Sequence, residues 1–162
     1  MELSIDASIG IPKLNSHHTH FVCISAALKA VKPVVFLAML TTSVTGANHY
    51  IHFDSVKLNI GNAYNPNHGV FVATYNGTYQ FTVTACSRNA HFVVLDFHVN
   101  DVVYDRLLAG DSVYDACNSK TIYVSLKEND DVYLKHEQSG DFLLANNGYG
   151  FPSFGGVLLK LE

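Results

Sequence analysis

The clearest strand signal in the chain is the run Gly77-Thr78-Tyr79-Gln80-Phe81-Thr82-Val83-Thr84-Ala85. Apolar and polar residues alternate along it. Because successive side chains of a strand point to opposite faces, Tyr79, Phe81, Val83 and Ala85 share one face. The run therefore predicts a strand that turns this face towards a core and its polar face away from it.

A second β-prone run, Val70-Phe71-Val72-Ala73-Thr74-Tyr75, lies just before the first. Asn76 and Gly77 join the two runs, and Asn-Gly is a dipeptide that readily takes positive φ in a tight reversal. The two runs are therefore predicted to form a hairpin.

The aromatic and glycine residues around this stretch also stand at the spacing of a known signature, which the chain meets at Phe53, Asn59, Tyr64, Phe71, Gly77, Tyr79 and Phe81. In this spacing the chain resembles the globular head domain of the complement C1q family, which is related to tumour necrosis factor. Val83 departs from the pattern, which has an aromatic residue there. The resemblance implies an all-β fold, an antiparallel jelly-roll β-sandwich.

Three further segments resemble the same family. They are an opening strand at 33–38, a strand-turn-strand block at 126–134 and a closing strand at 154–159. In the block, Asn129 replaces the usual Gly, and in the closing strand, Gly155 replaces the usual Ser. The resemblance therefore covers a C1q-like globular domain at residues 33–162. Residues 1–32 precede it as a lead-in of unknown role.

Composition narrows the function classes. A chain of 162 residues holds one ordinary domain, and its 48% hydrophobic and 12% aromatic content is typical of a folded, strand-rich protein. A net charge of −4 with ten Lys and Arg in all argues against nucleic-acid binding, which depends on clustered cations. No run reaches the ~20 apolar residues that a membrane-spanning helix needs, so insertion into a membrane is not expected.

No catalytic motif is present, so a protein without enzymatic activity is expected. The sequence lacks a Gly-x-Ser-x-Gly elbow, a phosphate-binding glycine loop and a paired-His zinc motif. Asp96 and His98 share one face of a predicted strand and are interpreted as a solvated pair.

Two covalent features remain open from the residues alone. Cys86 and Cys117 are each interpreted either as a buried free thiol or, as in some relatives of the family, as partners in one internal disulfide. Asn76-Gly77-Thr78 is an N-glycosylation sequon, whose use depends on secretion.

Metal binding is a weaker hypothesis. His17, His18 and His20 form a local cluster of imidazoles that can chelate zinc, copper or nickel, or else belong to a polar lead-in. Many family trimers hold calcium, and Asp115 resembles the family's acidic position, although a surface Asp in a turn is the stronger interpretation. We expect no required cofactor, and the resemblance allows for bound calcium.

Loops at the ends of the sandwich are the predicted ligand contacts, because polar and aromatic groups can converge there without disturbing the sheets. Amides, carboxylates and aromatic rings hydrogen-bond sugar hydroxyls and stack on sugar faces. The same residues are ordinary turn formers. Three loops carry them, with the candidates Asn65, Asn67 and His68; Asp111, Tyr114 and Asp115; and Asn146, Asn147 and Tyr149.

The resemblance implies a secreted, lectin-like pattern-recognition protein of innate immunity that binds glycans or microbial surface polysaccharides as a homotrimer. An extracellular metal-binding protein and a receptor-binding signalling trimer are the alternatives. No collagen repeat is present, which indicates a stand-alone head, and no clear signal peptide is visible, since Lys29 interrupts the apolar stretch at 21–31. Tyr64, Tyr79 and Tyr133 belong either to the trimer seam or to the monomer core.

Overall fold

The computed structural model describes residues 31–136, 142–145 and 150–162. Every regular element in these ranges is a strand. In chain order the strands are β1 (Val35–Met39), β2 (Val44–Thr45), β3 (His49–Tyr50), β4 (Ser55–Ile60), β5 (Tyr64–Asn65), β6 (Val70–Val72), β7 (Gly77–Ser87), β8 (His91–Val99), β9 (Val102–Asp111), β10 (Ala116–Leu126), β11 (Asp131–His136), β12 (Phe142–Leu143) and β13 (Ser153–Leu161).

The strands build two main antiparallel sheets. The first sheet has the order β10-β7-β13-β1-β4, and the second has the order β5-β6-β11-β8-β9, with β3 paired to β11 beside it. A small third pairing joins β12 to β2. The prediction of an all-β antiparallel sandwich is confirmed.

The core lies between the two sheets and is filled by alternating residues of both. Tyr79, Phe81, Val83 and Ala85 are at most 1% exposed, as the period-2 pattern predicted. Phe81 of the first sheet contacts rings of the second, with centroids 5.1 Å from Phe71 and 5.4 Å from Phe97. These aromatic contacts bind the two layers together, since each buried ring removes a large apolar area from water.

The predicted hairpin is wrong. Strand β6 pairs with β5 and β11 in the second sheet, whereas β7 pairs with β10 and β13 in the first. Asn76-Gly77 therefore carries the chain from one layer to the other. Gly77 is needed for close approach, because a Cβ there would lie 2.3 Å from the carbonyl oxygen of Lys160 on β13.

The fold tolerates two residues that depart from the family pattern. Val83 is 1% exposed and packs in the core without an aromatic ring. Asn129 has φ +73°, a left-handed conformation that Asn tolerates better than most residues with a side chain. It therefore serves the turn in place of the usual Gly.

Both sheets expose apolar side chains. Leu37, Leu58, Ile60 and Tyr123 are 36–59% exposed on the first sheet, and Phe92, Val103 and Leu108 are 41–57% exposed on the second. Tyr64 and Tyr79 lie in the monomer core instead, at 2% and 0% exposure. The exposed apolar side chains of the first sheet are therefore aliphatic on β1, β4 and β13, with Tyr123 on β10.

Candidate ligand-binding site

A pocket opens on the outward face of the second sheet, where β3 and β6 pair one after the other with β11. The register sets Val70 of β6 opposite Tyr133, and Tyr50 of β3 opposite Lys135. Val132 and Leu134 point into the core, so their neighbours on β11, Asp131 and Tyr133, point outward. The pocket has a volume of about 350 Å³.

Tyr133 forms a rigid wall of this pocket. Its ring stacks on the buried imidazole of His98 at 4.8 Å and contacts the ring of Tyr50 at 4.5 Å. Its hydroxyl donates a hydrogen bond of 2.7 Å to Asp101. Burial, together with the hydrogen bond to the Asp101 carboxylate, raises the pKa of Tyr133, so the hydroxyl stays protonated and keeps donating.

Asp101 and Asp131 make the pocket acidic. Asp101 follows β8 in the turn to β9, with φ +65°, and Asp131 begins β11. The amide of Asn100 cross-links the two turns, because it donates 2.7 Å to the Asp130 carboxylate and its oxygen accepts 2.9 Å from the Asp131 backbone N–H. Among the described residues no Lys or Arg lines the pocket, so its two carboxylates face no cationic side chain within it.

His52 and His68 complete the rim, and Tyr50 is 43% exposed beside them. An exposed tyrosine ring, two carboxylates and two imidazoles in one concave site combine a stacking surface with several hydrogen-bonding groups. This arrangement can bind a small polar ring such as one sugar residue.

The first predicted loop contributes one residue to this pocket. His68 lines it. Asn65 serves the turn, since its side-chain oxygen accepts a hydrogen bond of 3.0 Å from the N–H of Asn67.

The second predicted loop lies elsewhere. Register pairs His91 with Asp111 at one end of the β8–β9 hairpin and Val99 with Val102 at the other, near Asp101. At about 3.4 Å per residue the two ends are roughly 27 Å apart. The first and second predicted loops therefore lie at opposite ends of the β8–β9 hairpin and do not share one site.

Asp111, Tyr114 and Asp115 nevertheless lie beside cavities of their own. Tyr114 and Asp115 border one of about 580 Å³ together with Asn89, and Asp111 borders a neighbouring one. Both carboxylates also hold loops. Asp111 accepts from the N–H groups of Tyr114 and Val113, which lowers the pKa of Asp111, and Asp115 accepts 2.8 Å from the N–H of Asn89.

The remaining candidates lie outside the described residues. These are Asn146, Asn147 and Tyr149 of the third loop, and His17, His18 and His20 of the lead-in. Within the described ranges, no group of three or more His, Cys, Asp or Glu side chains could hold a metal ion, so Asp115 stands there without a ligand cluster.

Cys86 and Cys117 form a disulfide between opposite positions of β7 and β10. Gly150 packs against it, because a Cβ there would lie 3.1 Å from the Cys117 sulfur. Asn76 of the sequon is exposed, while its side-chain oxygen accepts 2.8 Å from the N–H of Glu128. Glycosylation of Asn76 stays a prediction.

Asp96 and His98 are not the solvated pair that was expected. Both are buried, at 0% and 5% exposure. Arg106 of β9 pairs with both oxygens of the Asp96 carboxylate, with Nη2 at 2.6 Å from Oδ2. The imidazole of His98 instead stacks on the ring of Tyr133.

Comparison with known proteins gives the family. The model of the C1q domain matches residues 35–159. The chain belongs to the C1q domain family. Members of this family are binding and signalling proteins rather than enzymes, which confirms the expectation of a non-enzymatic protein.

The C1q relatives differ in what their names describe. The chain is 34% identical over 66% of its length to the heavy metal-binding protein HIP of Mytilus edulis, and 27% identical over 86% to complement C1q tumor necrosis factor-related protein 7 of Mus musculus. It covers 52% and 47% of these two proteins, so it spans about half the length of the curated relatives it matches.

Solved structures show the same jelly-roll fold. The globular domain of zebrafish complement 1qA superimposes with a TM-score of 0.62 at 13% identity, covering 80% of this chain and 99% of that one. Eiger TNF from S. frugiperda gives 0.61 at 14% identity, covering 82% and 96%. Among the described residues, no helix is long and apolar enough to cross a membrane.

The pocket residues Tyr50, Asp101, Asp131 and Tyr133 were not predicted as ligand contacts. Tyr133 and Asp131 belong to the strand-turn-strand block that identified the C1q domain, which suggested only a framework role. Asn100-Asp101 is a dipeptide typical of turns. Nothing local indicated that this turn would meet Tyr133.

Proposed function

We propose that this C1q domain is the recognition domain of an extracellular, non-enzymatic protein that binds glycans of microbial or endogenous surfaces. The supporting observation is the pocket of Tyr50, Tyr133, Asp101 and Asp131. It offers one sugar residue an exposed ring for stacking and two carboxylates, of which Asp101 is fixed by Tyr133, for its hydroxyls. The loop of Asp111, Tyr114 and Asp115, roughly 27 Å away, is a second contact surface for a longer chain of sugars.

Secretion is part of the proposal and is supported by the disulfide. Cys86 and Cys117 are joined in the structure, and disulfides persist in oxidising compartments. An extracellular location would also make the sequon at Asn76 available for glycosylation.

Assembly as a homotrimer is proposed as well. Family membership implies it, and the outward face of the first sheet supports it, since exposed apolar side chains there gain from burial against identical copies. Three copies would present three glycan pockets, and simultaneous engagement raises the apparent affinity for a repetitive surface.

Two measurements test the proposal. The purified protein is applied to arrays of glycans and bacterial envelope polysaccharides, and its molar mass is measured by light scattering. We expect bound glycans and three times the monomer mass. A monomer that retains no glycan on the arrays contradicts the proposal.

Metal binding is the second candidate, favoured by the similarity to the heavy metal-binding protein of Mytilus edulis. Its proposed ligands are His17, His18 and His20, with Asp115 as the candidate for calcium. Calorimetric titration with zinc, copper and calcium tests it, before and after deletion of residues 1–20. If the deletion leaves zinc and copper affinity unchanged, this cluster is not the site.

A further inference from the structure

We infer that the pocket beside Tyr133 selects a sugar that carries a protonated amine, an unacetylated hexosamine, over its neutral or N-acetylated counterparts. This inference rests on the proposed glycan-binding function and names the ligand class of that same pocket. It depends on the charge of the lining and on the position of each aromatic ring.

The charge of the pocket favours a cation. Asp101 and Asp131 are its charged lining groups when the imidazoles of His52 and His68 are neutral, which gives a formal charge of −2. Lys135 shares the outward face of β11 but is aligned with Asp96 and Tyr50 and does not line the pocket. A ligand ammonium would therefore meet two carboxylates with no lining Lys or Arg competing for them.

The two carboxylates are not equivalent. Asp101 already accepts a hydrogen bond from the Tyr133 hydroxyl, which fixes its position. The side chain of Asp131 makes no hydrogen bond or ion pair with any described residue, because the contact with Asn100 uses its backbone N–H. Asp131 therefore has its full acceptor capacity left for the three donors of an ammonium group.

The aromatic rings define where the sugar ring lies. His98 on β8 and Tyr50 on β3 flank Tyr133 from the two neighbouring strands, with ring centroids 4.8 Å and 4.5 Å away, so Tyr133 supplies a wall and not a stacking surface. Tyr50 is the exposed ring. A pyranose stacked on Tyr50 would place its substituents towards Asp101 and Asp131, and the volume of about 350 Å³ suits one or two such rings.

Matched oligosaccharides test the inference. Tetramers of β-1,4-linked glucosamine, N-acetylglucosamine and glucose share a backbone and differ only in the group at one carbon. Calorimetry at neutral pH measures their affinities for the full chain, with a lysine-rich peptide as a further arm. We expect the glucosamine tetramer to bind at least about tenfold more tightly than the other two, with an affinity that falls as salt rises.

Variants locate the charge effect. Asp131→Asn should reduce glucosamine affinity about tenfold and leave the glucose tetramer unchanged, because only the charge-assisted contact is lost. Glu128→Gln is the matched control, since it removes an exposed carboxylate that does not line the pocket. The salt dependence of the unmodified protein remains decisive if Asp131→Asn fails to fold.

The outcomes separate this inference from the proposed function. Equal binding of the three tetramers, or tighter binding of a neutral one, overturns the amine selectivity while glycan recognition stands. Binding of the lysine peptide without any sugar overturns the sugar assignment and the glycan function together. An Asp131→Asn variant that behaves like Glu128→Gln places the amine outside this pocket.

Discussion

The two sheets enclose one core, but their outward faces carry different chemistry. The first sheet exposes Leu37 and Leu58 at directly opposed register positions of β1 and β4. The second sheet buries Asp96 beneath Arg106 and gathers Tyr133, Asp101 and Asp131 at its pocket. The apolar edge at Leu37 and Leu58 is suited to a copy of the same chain, whereas the acidic and aromatic pocket of the second sheet can hold a ligand, although Phe92, Val103 and Leu108 are also exposed on that sheet. We therefore propose assembly at the edge of the first sheet and recognition at the pocket of the second.

The largest expected effect comes from placing a charge on the first face. Leu58→Glu should convert the proposed trimer to monomers, because an unpaired carboxylate would be buried in each seam. Light scattering measures the mass. Val72→Glu, the same kind of change at an exposed strand position of the second sheet, should leave the mass unchanged. If both variants stay trimeric, the seam does not use the face at Leu58.

The disulfide ties together two strands of the first sheet, and the second sheet has no counterpart among the described residues. The double variant Cys86→Ser/Cys117→Ser should lower the free energy of unfolding by about 3–4 kcal/mol, because the unfolded chain regains the entropy of a closed loop. Denaturant titration measures this, and hydrogen exchange should rise in β10 before β8. Cys23→Ser is the control. If hydrogen exchange rises equally in both sheets, the disulfide stabilises the whole domain rather than one edge of the first sheet.

The ion pair on the second sheet should contribute less. Asp96→Asn should cost about 1–2 kcal/mol, since the carboxylate is fully buried while the Arg106 side chain is 54% exposed and remains partly solvated. Asp105→Asn is the matched comparison, because Asp105 pairs with Lys120 at 2.5 Å with both side chains partly exposed, and should cost below about 1 kcal/mol. If Asp96→Asn and Asp105→Asn destabilise the protein equally in thermal unfolding, the burial of Asp96 does not strengthen its ion pair.

The smallest effect concerns the turns beside the pocket. The hydrogen bonds from the Asn100 side chain and the Lys127 N–H lower the pKa of Asp130. A depressed folded pKa stabilises the fold above the unfolded value, about 3.9, and this contribution disappears as the pH falls through the folded pKa. Asp130→Asn should therefore cost below about 1 kcal/mol at neutral pH and nothing in strong acid.

Denaturant titrations across this pH range measure the Asp130 effect, with Glu128→Gln as the control. If Asp130→Asn lowers the free energy of unfolding equally at neutral pH and in strong acid, the charge of the Asp130 carboxylate does not stabilise the turn.

Much of the fold followed from local pattern. The alternation at Tyr79, Phe81 and Val83 correctly predicted a buried face, because period-2 burial is a property of any strand against a core. The hairpin prediction failed because alternation says which side chains are buried and not which strand lies alongside. Asn76-Gly77 is a dipeptide typical of tight turns. In this fold, however, Gly77 is required because the absence of a side chain leaves room for the carbonyl oxygen of Lys160.

The candidate site was predicted far less completely. Of its residues only His68 was expected, as part of a polar loop. Tyr50 and Asp131 are distant in the chain and meet because β3 and β6 share one edge of β11. Such long-range pairing has no local sequence signature, and neither does the roughly 27 Å that separates Asp101 from the loop at Asp111.

The amino-acid sequence by itself determined the class of fold, the family and the residues of the buried faces, because spacing and hydrophobicity are read one strand at a time. Only the tertiary structure decided which layer each strand joins and which polar groups share a pocket. Those outcomes depend on strand pairing across many residues, where the free energy belongs to the assembled sheets and not to any single segment.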